Sequence, residues 1–236
     1  MNDKIKERKK AKSLFITGTG TDVGKTFVTA LMVRKLQEYG ECPGYYKAAI
    51  SGNERDKEGK LIPGDALWVK KISGIAQPLE EMCPYIYEHA YSPHLAARIE
   101  GNPVDMKVVK SGFDKVCEKY NYVTMEGSGG ILCPIAFDGE KIQLEDVIHE
   151  LNLSSILVAD AGLGTINSVV LTVEYMRSKN LAVKGVIFNN YHPGNVMEED
   201  NIRMCEYFTG LPVLACVQPG DRELAIKIED LLALYE

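Results

Sequence analysis

Gly18-Thr19-Gly20-Thr21-Asp22-Val23-Gly24-Lys25-Thr26 follows the apolar run Leu14-Phe15-Ile16 and leads into a helical pattern from Val28 to Leu36. A glycine-rich turn between a buried strand and a helix opening near Lys25 aims backbone N–H groups and the positive end of the helix dipole at one spot. Such a spot holds a polyphosphate, with Lys25 reaching the outer phosphates and the Thr26 hydroxyl serving a magnesium ion. The usual pattern puts four residues between its first glycine and the Gly-Lys-Thr. Counting back from Gly24 lands on Thr19, with Gly18 one residue further, so the loop is one residue too long.

Outward from this loop, short apolar runs alternate with helical patterns. The strand candidates are Leu14 to Thr17, Tyr45 to Ile50, Tyr122 to Glu126, Ser155 to Asp160, Val183 to Asn189 and Val213 to Val217. Helices are expected over Lys25 to Tyr39, Ala66 to Ser73, His94 to Glu100, Met106 to Tyr120, Leu144 to Leu151, Ile166 to Lys179, Glu198 to Thr209 and Arg222 to Leu234. Gly40, Gly74, Gly101 and Gly210 stand just past four of the helix ends, as C-terminal glycines do. The order predicts an α/β, three-layer P-loop NTPase-like fold: a mostly parallel sheet with helices on both faces. In such a sheet ligands gather beyond the carboxyl ends of the strands, so the residues ending each strand are the ones to inspect.

The whole chain sets few further limits. With 236 residues, 45% hydrophobic and 25% charged, it reads as a single domain over 13–236, preceded by a basic tail over 1–12 that carries Lys4, Lys6, Arg8, Lys9, Lys10 and Lys12. The tail lacks aromatics and an apolar face, which favours a solvated segment over a nucleic-acid or lipid contact. A net charge of −6 argues against a general nucleic-acid binder, and no run reaches membrane-spanning length, so neither nucleic acid nor membrane is an expected partner. No secretory h-region follows the basic residues, and the six cysteines lack metal or redox spacing, which points to the cytoplasm and to reduced thiols. The loop from Gly52 to Gly64 is polar and expected to be mobile.

Several residues have chemistry to offer. Glu126 closes an apolar strand before Gly127-Ser128-Gly129-Gly130, where a nucleotide-dependent enzyme places a carboxylate for magnesium. Asp160 ends its own apolar strand in the same way, and both stay open as candidates. Asp65, after Pro63-Gly64, is either a second metal ligand or a helix N-cap. Lys47 sits in the apolar strand Tyr45-Tyr46-Lys47-Ala48-Ala49-Ile50, where an unpaired ammonium is expensive to bury. It therefore either meets an anion and serves phosphoryl transfer, or is an edge lysine facing water. Ser92-Pro93-His94 reads as a helix start, and His89, His149 and His192 have no partner spacing.

The ordered set of motifs resembles the dethiobiotin synthetase family. It comprises the phosphate loop at 18 to 26, Gly44-Tyr45-Tyr46-Lys47 with Ser51-Gly52, Gly64-Asp65-Ala66 and Ser92-Pro93-His94. It continues with Glu126 to Gly130, Gly162-Leu163-Gly164-Thr165-Ile166-Asn167 and Asn189. The lengthened loop is itself a trait of that family. The resemblance implies an ATP- and Mg2+-dependent ring closure of 7,8-diaminopelargonate with CO2 or bicarbonate. One amine is carboxylated to a carbamate, ATP phosphorylates the carbamate to a mixed anhydride, and the neighbouring amine displaces phosphate to give the cyclic urea.

The same resemblance assigns roles. Asp22, Val23, Gly24, Lys25, Thr26 and Phe27 would wrap the phosphates, with Gly127, Ser128 and Gly129 beside them. Thr26, Asp65 and Glu126 would bind magnesium, which places Glu126 ahead of Asp160. Lys47 would be the catalytic lysine, aided by Lys25 and Thr21. Ser51 and Thr21 would lie beside the diamine and carbamate. Asn189 would read adenine with Asn190 and the loop Pro219-Gly220-Asp221. Gly164 and Asn167 would take the substrate's carboxylate from a neighbouring subunit, which implies a homodimer. Ala48, Ser168 and the stretch Val213 to Pro219 depart from the family pattern, which bears on base selectivity and on contacts to the substrate's tail. The competing class is a partition or positioning ATPase, a nucleotide-switched dimer. Its phosphate loop carries an additional lysine where this chain has Thr19, and it has little use for Lys47.

Overall fold

The computed structural model describes residues 11–236, so the basic stretch through Lys10 lies outside the described residues. Lys12, expected at the end of that tail, instead opens the first strand, and Ala11 is already buried. The elements run β1 (Lys12–Gly18), α1 (Lys25–Glu38), β2 (Pro43–Lys47), β3 (Ala49–Ile50), α2 (Gly64–Ser73), a 3-10 turn (Leu79–Glu81), β4 (Tyr85–Ile86), α3 (Pro93–Glu100) and α4 (Met106–Lys119). They continue with β5 (Tyr122–Glu126), β6 (Pro134–Ala136), β7 (Ile142–Gln143), α5 (Leu144–Leu151), β8 (Ser155–Asp160) and α6 (Thr165–Ser178). The chain closes with β9 (Val183–Asn189), α7 (Val196–Thr209), β10 (Val213–Cys216) and α8 (Ile228–Leu234).

Six parallel strands form the central sheet in the order β10-β9-β8-β1-β5-β2. Alternation along β1 shows how its two faces are covered. Leu14 and Ile16 pack with Val28, Leu31 and Met32 of α1 and with Leu231 and Leu234 of α8. Phe15 turns the other way, against Val109, Phe113 and Val116 of α4 and Val147 and Ile148 of α5. Leu157 and Ala159 of β8 meet Val169 and Val173 of α6 and Cys205 of α7. The result is the three-layer parallel α/β fold that the alternating sequence predicts.

Three expectations are corrected. The run from Tyr45 to Ile50 is two strands: β2 reaches its last partner where Lys47 stands opposite Glu126, and β3 then pairs with β4 in a separate two-stranded sheet. The last helix starts at Ile228, not Arg222. Leu224 is drawn singly into the core, and its carbonyl oxygen accepts from Lys35 Nζ at 3.1 Å, so Arg222 to Lys227 stays out of the helix. Pro134 to Gln143 forms a small antiparallel hairpin, β6–β7, absent from the strand expectations.

Gln77 closes the free edge of β2. Its side chain, 1% exposed, accepts from Tyr45 N at 2.7 Å and donates to Tyr45 O at 2.9 Å, while Met82 O accepts from Lys47 N at 2.9 Å. The polar loop of 52–64 also has structure. Buried Asn53 donates to Ile50 O and Tyr87 O and accepts from Gly64 N, and Arg55 bridges to Leu61 across the loop.

Candidate active site

The phosphate loop leaves β1 and enters α1 through Gly24, whose φ of 92° lies in the left-handed region. A Cβ at Gly24 would stand 2.0 Å from Asn189 Nδ2, so the turn and the close approach both demand glycine. Asp22 also adopts a positive φ, 61°, a strained conformation of the kind found at ligand clamps. No side chain caps α1, and no acidic residue stands in its first turn. Its leading N–H groups are therefore open to an anion. Lys25 Nζ meanwhile donates to Gly20 O at 2.7 Å, folded back over its own loop. Burial, and next the Lys47 charge, lower its pKa to about 8.

β5 and β2 end level, with Lys47 registered against Glu126, while β1 passes Glu126 at Ile16 and runs on to Gly18. That register explains the main polar cluster, because residues directly opposite on parallel neighbours share a face of the sheet. Glu126 Oε1 accepts from Lys47 Nζ at 2.6 Å and from Thr26 Oγ1 at 2.8 Å. Its Oε2 accepts from the Tyr45 hydroxyl at 3.1 Å. Asp65, in the first turn of α2, takes a second bond from Lys47 Nζ at 2.7 Å. Burial works to lower the Lys47 pKa, but Glu126 and Asp65 outweigh it and hold the ammonium above the usual lysine range. Asp65 likewise ends below the usual carboxylate range: burial opposes this, while Lys47, the Thr26 hydroxyl and Lys25 overcome it. Burial and the neighbouring Glu126 push the Tyr45 phenol well up.

A cleft of about 480 Å³ opens over this cluster. It gathers Thr21, Asp22, Gly24, Lys25, Thr26, Phe27, Lys47, Ser51, Asp65, Glu126, Ser128 and Gly129 from four separate stretches of the chain. The Ser51 hydroxyl donates to Tyr91 O and that of Ser128 to Ala49 O, which ties the cleft walls together. Lys47 is thus no edge lysine facing water, since its side chain is 6% exposed and lies between two carboxylates. Asp160 does not line this cleft: its oxygens accept from Gly162 N and Asn190 Nδ2, which fixes the turn into α6.

Other expected residues lie outside the cleft. Asn189 approaches the phosphate loop from the β9 side and donates to Val23 O at 3.2 Å. Its buried Oδ1 has no hydrogen-bond partner among the described residues. Asn190 is turned to Asp160, and the turn at 219–221 follows β10, where Asp221 accepts from Gln218 N. Gly164 and Asn167 are exposed at the start of α6, far from burial and beside Leu163, which is 90% exposed. Two residues of the site were absent from the sequence expectations. Tyr45 shares a strand face with Lys47 by the two-residue period, and Trp68, which lines the cleft, stands one turn from Asp65.

The parallel sheet, the open helix start and the lysine–hydroxyl–carboxylate set define a nucleotide-dependent P-loop protein. Among solved structures, its architecture is similar to that of MinD-type folds. The MinC:MinD cell division protein complex of Aquifex aeolicus superimposes with a TM-score of 0.55 at 14% identity, over 88% of this chain and 81% of that one. At that identity the likeness is one of fold alone.

Sequence relatives decide the family. A family profile described as an AAA domain matches residues 12–223. A protein of Brachyspira hyodysenteriae named ATP-dependent dethiobiotin synthetase BioD is 51% identical over 218 residues, which is 92% of this chain and 96% of the relative. A Clostridium botulinum protein of the same name is 45% identical over 226 residues, 96% of this chain and 99% of the relative. The chain belongs to the dethiobiotin synthetase family and is an ATP-dependent ligase. Among the described residues no helix is long and apolar enough to cross a membrane.

Proposed function

We propose that this chain carboxylates 7,8-diaminopelargonate with CO2 and closes the ring to dethiobiotin through a carbamate and a carbamoyl-phosphate mixed anhydride. The observation that carries this reading is Lys47. A second, buried ammonium between Asp65 and Glu126, beside the phosphate-loop lysine, suits a reaction that brings a γ-phosphoryl group up to an anionic carbamate. Because its pKa is raised, Lys47 serves as a fixed cation and not as a base. Lys25 and the first N–H groups of α1 would hold the phosphates, and Thr21 and Ser51 border the space left for the diamine. In-line geometry between the two reacting anions supplies the rest of the rate, since displacement needs them aligned more than activated.

The donor set also suits magnesium. Thr26, Asp65 and Glu126 offer hard oxygens, and an ammonium already finds the space between the two carboxylates favourable. Among the described residues no cluster of three or more His, Cys, Asp or Glu is able to hold a metal alone. That accords with an ion that relies on phosphate oxygens and water for its remaining ligands. When bound, it would neutralise charge on the transferring phosphoryl group.

On the nucleotide's far side, the unpartnered Asn189 Oδ1 suits the amino group of adenine. A homodimer is proposed on the exposed apolar residues at the starts of α6 and α7, where Leu163, beside Gly164, is 90% and Val196 79% exposed. The test is direct. Purified protein with the diamine, bicarbonate, Mg2+ and ATP is expected to yield dethiobiotin and ADP in equal amounts. Folded protein that gives no product above background would defeat the reading. ATP hydrolysis stimulated by DNA or lipid but indifferent to the diamine would favour the positioning ATPase.

A further inference from the structure

Glu126 is held by three donors, and they differ in what else they do. Thr26 and Lys47 both line the cleft, and on the reading above each has a ligand to meet. Tyr45 does not line it. Its ring is fully buried among Ala30 and Val33 of α1, Ala66 and Val69 of α2, and Met82. Its backbone is clamped on both sides by the Gln77 carboxamide. The hydroxyl, 3.1 Å from Glu126 Oε2, is thus carried on a ring that cannot move independently of the core.

This matters because the carboxylate's last torsion is soft, with broad wells and no strong rotamer preference. Without the Lys47 bond, which substrate would compete for, Oε1 keeps only the Thr26 hydroxyl, which the reading above also gives to the ion. A carboxylate held on one oxygen swings about that bond, whereas one held on both has a fixed plane. We propose that Tyr45 is a positioning residue for the ring-closing reaction: its buried hydroxyl fixes Oε2 of Glu126 so that Oε1 stays aimed at Thr26 and the cleft throughout turnover. The neighbouring Tyr46 supplies the contrast. It lies on the opposite face of β2 and donates to Val109 O of α4 at 2.9 Å, so the two adjacent tyrosines have unrelated duties.

The inference rests on the reading of Glu126 as a metal ligand, and the experiment separates the two. Mn2+ binding in the presence of ADP is followed by electron paramagnetic resonance, alongside ADP binding without metal. Tyr45→Phe is expected to weaken Mn2+ binding by roughly ten- to a hundredfold, as loss of the hydrogen-bond partner of a ligating carboxylate does. ADP affinity without metal should stay unchanged, Tyr46→Phe should behave as wild type, and the Tyr45→Phe effect should vanish in a Glu126→Gln background. Wild-type Mn2+ affinity in Tyr45→Phe, where Glu126→Gln alone weakens it, overturns the positioning role and spares the metal reading. A Tyr45→Phe loss that is equally large without metal or in the Glu126→Gln background also overturns it, because a general core defect acts that way. Wild-type Mn2+ affinity in Glu126→Gln removes both readings. Should Tyr45→Phe fail to fold, 3-fluorotyrosine at position 45 keeps the hydroxyl. Its 19F resonance is expected to move on Glu126→Gln and on adding Mg2+ with ADP, and a resonance still in both cases overturns the role.

Discussion

On the β5–β2 side of the phosphate loop, Lys47 bonds to both Asp65 and Glu126. On the β8–β9 side, Asp160 and Asn190 hold backbone and each other, while Asn189 leaves one buried oxygen unpartnered. The first flank is a closed set of charges that a ligand must rearrange. The second is a wall tied to its own backbone, with the Asn189 oxygen left to be met. A reacting phosphoryl group needs strong, preorganised charge, whereas a base is told apart by single hydrogen bonds, and burial makes each of these count.

The strongest blow to that contrast should come from the charged flank. Lys47→Ala is expected to lower turnover about a hundred- to a thousandfold while ATP still binds, as loss of a transition-state cation does. Single-turnover formation of dethiobiotin with parallel nucleotide titrations checks it, and unchanged turnover would put Lys47 outside the chemistry. The same change should cost about 3–5 kcal/mol of unfolding free energy in ligand-free protein, because it leaves Glu126 buried beside Asp65 without their cation. Denaturant melts at neutral pH measure this. A loss below about 1 kcal/mol, the range of an exposed pair, would show that the cluster is solvated.

Smaller effects sharpen the division. Asn189→Ala should raise the ATP concentration needed for half-maximal rate by about tenfold and narrow the preference for ATP over GTP, with the maximal rate little changed. Equal losses for both nucleotides would mean that Asn189 only props Val23. Lys25 provides a pH test. Its folded pKa, about 8, is below the unfolded 10.5, so the charged form costs stability below pH 8, and that cost is relieved as pH rises toward 10.5. Phosphate binding favours the charged form. ATP affinity should therefore fall as pH rises through about 8, by up to roughly tenfold per unit, with proton uptake on binding seen by calorimetry in two buffers. A flat affinity from pH 7 to 9, a window set by that value, would contradict it. Smallest of all, Asp160→Asn should change Mg2+ dependence by less than about twofold, since its oxygens serve Gly162 and Asn190. A large shift would return Asp160 to the metal site.

Much of the charged flank was legible because its pieces are local. Gly24-Lys25-Thr26 is contiguous, Glu126 ends an apolar strand before glycines, and Lys47 in an apolar strand pointed either to an anion or to an edge facing water. Which anion it met depended on strand register, a long-range fact, as did the level ends of β5 and β2. Tyr45 was hidden for the same reason: an alternating tyrosine beside a lysine reads as core until its hydroxyl is seen 3.1 Å from Glu126. The β6–β7 hairpin had a signal in Asp138-Gly139, but its strands are too short for periodicity to register. The late start of α8 was illegible, because only packing shows that Leu224 leaves the helical path to fill the core.

The Gln77 carboxamide occupies the outer rim of β2, bonded to both backbone groups of Tyr45. Without it the sheet would present bare amides to solution along the very strand that carries Lys47, and strand-to-strand recruitment of other chains begins on such rims. Gln77→Ala is therefore a change remote from the cleft in which precipitation and loss of synthesis would arise together, so solubility in this protein is guarded two residues from its chemistry.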